Sequence, residues 1–303
     1  MMDLKQIEVF NKVCESKSFS EAAKELYVTQ PTVSSHIKSL EDKLEVQLFR
    51  RKDKSQGTLT DAGRLLYSYT SQIFSLIKEA ESTISNYKEG LNGNLSIATS
   101  YTVLNSFLPN LLKKYKEKFL SVELILHSGV TDNVIKMVSN REVQFGFIRN
   151  ATPSLIDPTF VTECISSDQS IFICAPNHKL ARLKEVRTKD INQVPIIRIG
   201  KGTGYWNQVS RMFQSNNVQP KVTMELNDIF AVKKMTELGL GISFVPQMAV
   251  QEDLNKGNLF KLNITDLPPV KRYSLLIYRK DLILTGPNQS FIELVNKYKS
   301  FLA

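Results

Sequence analysis

The stretch Thr29-Gln30-Pro31-Thr32-Val33-Ser34-Ser35 concentrates small hydroxyls and one primary amide, and Lys38 follows Ser34 at about one helical turn. Gln30 carries a donor and an acceptor on one side chain, the pair that adenine N7 and N6 demand in the major groove. Pro31, Ser34 and Ser35 are short enough to approach base edges or phosphate closely. Arg51, Lys52 and Lys54, with Arg50 and against Asp53, add cations near Gly57 that could neutralise phosphate. Taken alone, such a cluster also resembles a solvated turn.

A second set of residues suits small-molecule binding. Ser100-Tyr101-Thr102, Ser128-Gly129-Val130-Thr131 and Gly202-Thr203 each fall where a strand-like run gives way to a helix-like one. Helix starts present free N–H groups and partial positive charge, so they collect anions. Simple capping is the plainer role for each hydroxyl, and it is compatible with lining a pocket. Arg149, after the run Val143 to Ile148, would enter the same crevice, where its permanently charged fork suits an oxyanion; a surface arginine is the alternative.

Catalytic and metal chemistry are poorly served. His36, His127 and His178 lie far apart, there is no HExxH or GxSxG, and Ser128 beside His127 makes no triad. Lys201-Gly202-Thr203-Gly204 lacks the GxxxxGK(S/T) order of a phosphate loop, so a strand-to-helix turn is its better reading. Cys14, Cys164 and Cys174, odd in number and without CxxC spacing, read as reduced and mostly buried thiols, with a redox sensor as the lesser alternative. No metal, cofactor or catalytic residue is expected.

Short amphipathic helices must position the first set. Leu4, Ile7, Phe10 and Val13 form one stripe of a helix ending near Ser16, and Ser20 is expected to cap a second helix over Glu21 to Leu26. Thr29 caps a third, with Pro31 in its first turn and Val33, Ile37, Leu40 and Leu44 on its buried stripe. The pair fits a helix-turn-helix, a pattern that generic helical hairpins largely share, and Leu48 to Arg51 with Gly57 to Thr60 resembles a two-stranded wing. From Asp61 to Lys88 no proline occurs, and Leu66, Tyr69, Ile73, Leu76 and Ala80 keep heptad spacing within about 42 Å of helix. That seam needs a partner helix, and Gly90 to Asn94 reads as a linker.

The rest alternates. Strand-like runs at Leu95 to Thr99, Val122 to Leu126, Val143 to Ile148, Ser170 to Ala175, Pro195 to Ile199, Val222 to Leu226, Gly241 to Val245 and Tyr273 to Tyr278 are separated by helical stretches. Those stretches are Val103 to Lys118, Asp132 to Asn140, Tyr205 to Asn216, Ile229 to Leu238 and Pro287 to Leu302. This predicts an α/β unit with mostly parallel sheets and two small lobes. The ligand crevice then lies outside the carboxyl ends of the strands.

At 303 residues, 42% hydrophobic and 23% charged, the chain suits about two globular domains. Residues 1 to 90 hold 13 basic and 13 acidic side chains, so the whole +9 lies in residues 91 to 303 and does not by itself locate a nucleic-acid site. The longest apolar run, Ile171 to Ala175, is far short of the roughly 20 residues that span a bilayer. With Asp3 and Glu8 early and no apolar leader core, a cytoplasmic location is expected.

The amino-terminal residues resemble a known family. Phe10, Ser18-Phe19-Ser20, Ala22-Ala23, Leu26, Thr29 to Ser34, Ile37, Leu40-Glu41, Leu44, Leu48-Phe49-Arg50-Arg51 and Leu59-Thr60-Asp61-Ala62-Gly63 look like the winged helix of LysR-type transcriptional regulators. Gly239-Leu240-Gly241-Ile242-Ser243-Phe244-Val245-Pro246 is the best local match in the remainder. The position after Ser34, often Arg in the family, is Ser35 here, and the wing is one residue longer than the common form.

The resemblance implies an α/β protein with an all-α-type winged helix-turn-helix amino-terminal domain and a two-lobed, periplasmic-binding-protein-like effector domain. Its implied divisions are 1–60, a linker helix and hinge over 61–90, and 91–303, with lobe one at 91–161 and 267–303 and lobe two at 162–266. The implied function is sequence-specific binding of double-stranded operator DNA, modulated by a small-molecule effector, expected to be anionic, in the interlobe cleft. A homodimer or homotetramer is implied, with RNA polymerase as a candidate partner. A transporter's substrate-binding protein would lack use for the first 90 residues, and an α/β enzyme would need a nucleophile, base or metal set that the sequence does not assemble.

Overall fold

The computed structural model describes residues 2–50, 57–89, 93–199, 204–216, 218–219, 221–226 and 228–302. The chain divides into two units, Met1–Ser85 and Asn86–Ala303.

In the first unit, α1 (Leu4–Ser16), α2 (Phe19–Glu25) and α3 (Gln30–Leu44) pack around Phe10, Val13, Ala22, Val33, Ile37 and Leu40. The cap of α2 corrects the expected one: Ser18 Oγ accepts from the Glu21 N–H at 3.3 Å, while the Ser20 hydroxyl donates to Gln30 Oε1 at 3.3 Å. Starting at Phe19 places Phe19, Ala22 and Ala23 on one face, and all three are buried; core packing decides which serine caps. Phe49 closes the core against the rings of Phe10 and Phe19, at centroid distances of 5.6 and 5.1 Å.

The two arms of the wing meet as expected. Phe49 bridges Leu59 in antiparallel fashion, Arg50 N–H donates to the Thr58 carbonyl at 2.9 Å, and Thr60 N–H donates to the Leu48 carbonyl at 2.9 Å. Beyond them runs α4 (Asp61–Glu89). Gly63 is required at its start, because a Cβ there would lie 2.2 Å from the Leu48 carbonyl oxygen, which no side chain tolerates. Leu66 and Tyr67 pack on the helical core and the Thr70 hydroxyl donates to Asn11 Oδ1, docking the first turns of α4 on α1.

The second unit is built on one continuous sheet. Its strands are β1 (Gly93–Ser100), β2 (Val122–Gly129), β3 (Phe145–Asn150), β4 (Phe160–Cys174), β5 (Pro195–Ile199), β6 (Lys221–Leu226), β7 (Ile242–Pro246), β8 (Phe260–Leu262) and β9 (Val270–Arg279). They run in the order β2-β1-β3-β9-β4-β7-β5-β6, with β8 beside β4. Helices α5 (Tyr101–Leu104), α6 (Leu108–Lys118), α7 (Thr131–Ser139), α8 (Gly204–Ser215), α9 (Ile229–Glu237), α10 (Gln251–Lys256) and α11 (Gly286–Leu302) complete it.

The expectation of mostly parallel sheets needs correction. The groups β2-β1-β3 and β7-β5-β6 are parallel, as crossover helices require, but β9 and β4 run antiparallel to their neighbours and to each other. These two long strands join the lobes. Only the apolar half of β4, from Ser170, shows as a strand in the sequence, since Thr162 to Gln169 is largely polar. The single helix expected over Val103 to Lys118 is two helices, because Pro109 sits in the first turn of α6, where its missing N–H costs no bond. Helix α10 and strand β8 were not expected, being too short to show a period.

Each lobe has its own core. Leu95, Phe145, Phe147, Leu276 and Phe291 centre the first, and Phe172, Val209, Phe213, Ile242 and Phe244 the second. No described helix is long and apolar enough to cross a membrane.

Candidate DNA-reading helix and effector cleft

The amino-terminal turn of α3 is built to face a polyanion. Thr29 caps it, accepting from the Thr32 N–H at 3.4 Å, and its hydroxyl pairs with that of Thr32 at 2.9 Å. No acid occupies the first turn, so the positive end of the helix dipole is uncompensated there. Val33, Ile37 and Leu40 hold the helix against the core, while Gln30, Pro31, Ser34, Ser35 and Lys38 are exposed and Thr32 is half-buried. Gln30, Ser34 and Lys38 line one groove along α3, of about 990 Å³. The carbonyl of Gln30 accepts from Ser20 and retains a second lone pair, so α2 orients the amide without consuming it.

Glu41, quoted above only within the family resemblance, has a positioning role. Its carboxylate accepts from the Leu48 and Phe49 N–H groups at 2.6 and 3.2 Å, fixing the start of the wing to the far end of α3. Arg51, Lys52 and Lys54 lie outside the described residues.

Along α4 the expected seam divides. Leu66 is turned into the helical core, a correction that follows from the docking of α4 on α1, whereas Tyr69, Ile73, Leu76 and Ala80 are exposed. Together with Ile77 and Ile84 they leave an apolar stripe in solvent.

In the second unit, parallel pairing of β1 with β2 sets Thr99 beside Ser128 and Ser100 beside Gly129, which brings two of the expected loops together. Ser100 is buried and its Oγ has no partner within the described residues, Tyr101 is exposed, Thr102 is half-buried and Ser128 is exposed. The Thr131 hydroxyl donates to the Arg149 carbonyl at 3.3 Å, adding the end of β3 to the group. Gly202 and Thr203 lie outside the described residues.

Arg149 reaches this place but not in the expected role. Its guanidinium is 7% exposed and donates to Asp168 on β4 and, at 2.8 Å, to the Ser274 hydroxyl on β9. The free oxyanion fork read from the sequence is thus already engaged, because β3 stands beside β9 and β9 beside β4. Asp168 also accepts from the Met248 N–H at 3.2 Å, just beyond β7, so one carboxylate ties both lobes. The polar run Ser166-Ser167-Asp168-Gln169-Ser170 was the available sequence signal. Asp132 in the first turn of α7 and Asp228, which caps α9 by accepting from the Phe230 and Ala231 N–H groups at 3.1 and 3.2 Å, further offset positive charge.

The thiols do not form a reactive set. Burial pushes Cys14 up to about 12 and Cys174 up to about 11, so both are protonated at neutral pH. Cys164 is half-buried. Among the described residues no group of three or more His, Cys, Asp or Glu side chains could hold a metal ion.

A helix-turn-helix surface joined in one chain to a two-lobed α/β unit is the layout of a DNA-binding regulator with an effector-binding domain. Residues 4–64 match the family model described as bacterial regulatory helix-turn-helix protein, lysR family, and residues 88–299 match the LysR substrate binding domain. The chain belongs to the LysR-type transcriptional regulators and is not an enzyme.

Among curated relatives, the probable RuBisCO transcriptional regulator of Cyanidioschyzon merolae is 27% identical, over 94% of this chain and 92% of its own. That of Thalassiosira pseudonana is 26% identical, over 90% of each. Among solved structures, full-length CbnR complexed with its target DNA shares the fold with a TM-score of 0.71 at 22% identity, covering 98% of this chain and 100% of that one. A full-length OxyR variant from Pseudomonas aeruginosa superposes with a TM-score of 0.70 at 18% identity, over 100% and 96%.

Proposed function

We propose that this regulator reads double-stranded operator DNA through Gln30, with Thr29, Pro31, Thr32, Ser34, Ser35 and Lys38 on base edges and phosphate, and Arg51, Lys52 and Lys54 on phosphate from the wing. The observation that carries this reading is the exposed, acid-free first turn of α3 with Gln30 oriented by Ser20. Gln30→Ala is expected to cost roughly 1 to 3 kcal/mol on the operator and little on random DNA. Gel-shift titrations on the two duplexes check it, and equal losses on both would remove Gln30 from base reading.

The domain divisions are 1–60, 61–90 and 91–303, with the two lobes at the boundaries given above. The effector is a small molecule in the interlobe cleft, met by Ser100, Tyr101, Thr102, Ser128, Thr131, Gly202 and Thr203. With Arg149 bound to Asp168, recognition rests on hydroxyls and main-chain N–H groups, which shifts the effector from an anion gripped by a guanidinium to a small polar molecule. Thr102→Val is expected to abolish the effector's influence on operator binding while leaving affinity without effector within about twofold, since surface changes away from the DNA face alter stability little. A gel shift with and without effector measures both; an unchanged response would place the ligand elsewhere.

The protein acts in the cytoplasm as a homodimer through α4, assembled further into a tetramer, with RNA polymerase as a downstream partner. Closing of the lobes changes how the paired reading helices are spaced, and the ligand acts by binding one arrangement better than the other.

A further inference from the structure

A second cavity lies against the core of lobe two, closed on one side by the segment Leu267 to Val270 as the chain leaves that lobe. Ser170 and Phe172 of β4 pair with Val270 and Leu262, so the chain from Asn263 to Pro269 leaves the ladder between those two contacts and then returns. Below this excursion a cavity of about 200 Å³ remains, walled by Phe172, Phe244, Val209, Met212 and the Pro268-Pro269 pair. The two prolines offer no N–H, which keeps that wall apolar.

The lining is mixed: Gln169, Ser170, Lys261 and Asn263 face the cavity beside the apolar side chains, and two of them bear on a ligand. Ser170 is 7% exposed and its Oγ has no hydrogen-bond partner within the described residues. A hydroxyl left unpaired in an apolar wall carries a cost that a ligand oxygen removes. At the rim, the exposed Lys261 ammonium donates to the neutral Gln247 Oε1 at 3.2 Å and has no carboxylate partner among the described residues. Aromatic and methionine side chains on one wall, with Lys261 the one charged group among the described lining residues, favour a ligand with a hydrocarbon body and a negative end.

We propose that lobe two carries a second small-molecule site, for a compact apolar carboxylate whose hydrocarbon part lies on Phe172, Phe244 and Met212 and whose carboxylate meets Lys261. The cavity is smaller than the 300 Å³ or so at which drug-sized pockets begin, so the ligand is a single ring or a short branched chain. Ser170 stands two residues from Asp168, whose carboxylate joins Arg149 to the Met248 N–H. Occupancy therefore presses on the strand that links the lobes, giving the regulator a second input.

Calorimetric titration of the full-length chain with cyclohexanecarboxylate, with cyclohexylammonium as the opposite charge, tests the site. The parent should bind the carboxylate saturably and in preference to the ammonium. Lys261→Glu should weaken the carboxylate by about tenfold and invert the preference, as reversing one partly solvated charge allows. Met212→Trp should lose both by filling the cavity, and Thr102→Val should bind like the parent. Absence of saturable carboxylate binding overturns the site. So does binding that survives Lys261→Glu and Met212→Trp but is lost in Thr102→Val, which would assign the molecule to the cleft instead.

Discussion

Ile73→Asp is expected to convert the assembled protein to monomers. Tyr69, Ile73 and Leu76 are 63, 39 and 49% exposed in the single chain, although they stand at heptad spacing on a helix of 29 residues. Such a stripe is stable in water only when a partner covers it. In a symmetric helix pair the substitution enters twice, so each carboxylate must be buried without a cation or remain solvated by forcing the helices apart. The cost is roughly 3 kcal/mol or more, at least a hundredfold in the association constant. Ile73 lies outside the helical core, so the monomer should keep its fold, as circular dichroism will report. Operator affinity should fall with the oligomer, since two half-sites about one helical turn apart need two joined reading helices. Sedimentation velocity decides the matter: a variant that sediments like its parent and binds the operator normally places the seam elsewhere.

The second large effect concerns Arg149. Were its guanidinium open to ligand, as the sequence suggests, Arg149→Ala would change ligand response and leave stability alone. The structure reverses that expectation. Arg149 is 7% and Asp168 14% exposed, and removing the arginine strands a carboxylate whose other hydrogen bond is to the Met248 N–H. Breaking a buried pair from one side costs about 3 to 5 kcal/mol, whereas replacing both partners with apolar groups of like volume is close to neutral. Arg149→Ala should therefore lower stability to urea by about that amount, and Arg149→Met combined with Asp168→Leu should recover most of it. Equal losses in the single and double variants would show that the pair is not acting as one unit. The same double variant, stable but without the bond between lobes, should also respond to effector differently from the parent.

The sequence determined the elements whose signal is local. The reading helix is announced by Thr29, Pro31 and the stripe Val33, Ile37 and Leu40, because a cap, a ring that fits the first turn and a period near four residues are all contained within one element. The same holds for the family resemblance, for the wing arms around Phe49 and Leu59, and for β1, β3 and β7, whose apolar runs are buried on both faces. The exposed face of α4 was legible as a heptad pattern from Tyr69 onward.

Tertiary structure alone decided whatever depended on which elements become neighbours. Ser18 rather than Ser20 caps α2 because Phe19 must enter the core, which frees Ser20 to orient Gln30. Leu66 leaves the seam because α4 docks on α1. The polar beginning of β4 becomes a strand only because β9 lies beside it, hundreds of ångströms of chain away in sequence but adjacent in the ladder. That adjacency brings Asp168 and Ser274 to Arg149 and removes the charge that the cleft was expected to offer. A side chain's type is written locally, but the partner that uses its charge is set by sheet order, which no spacing along the chain reveals.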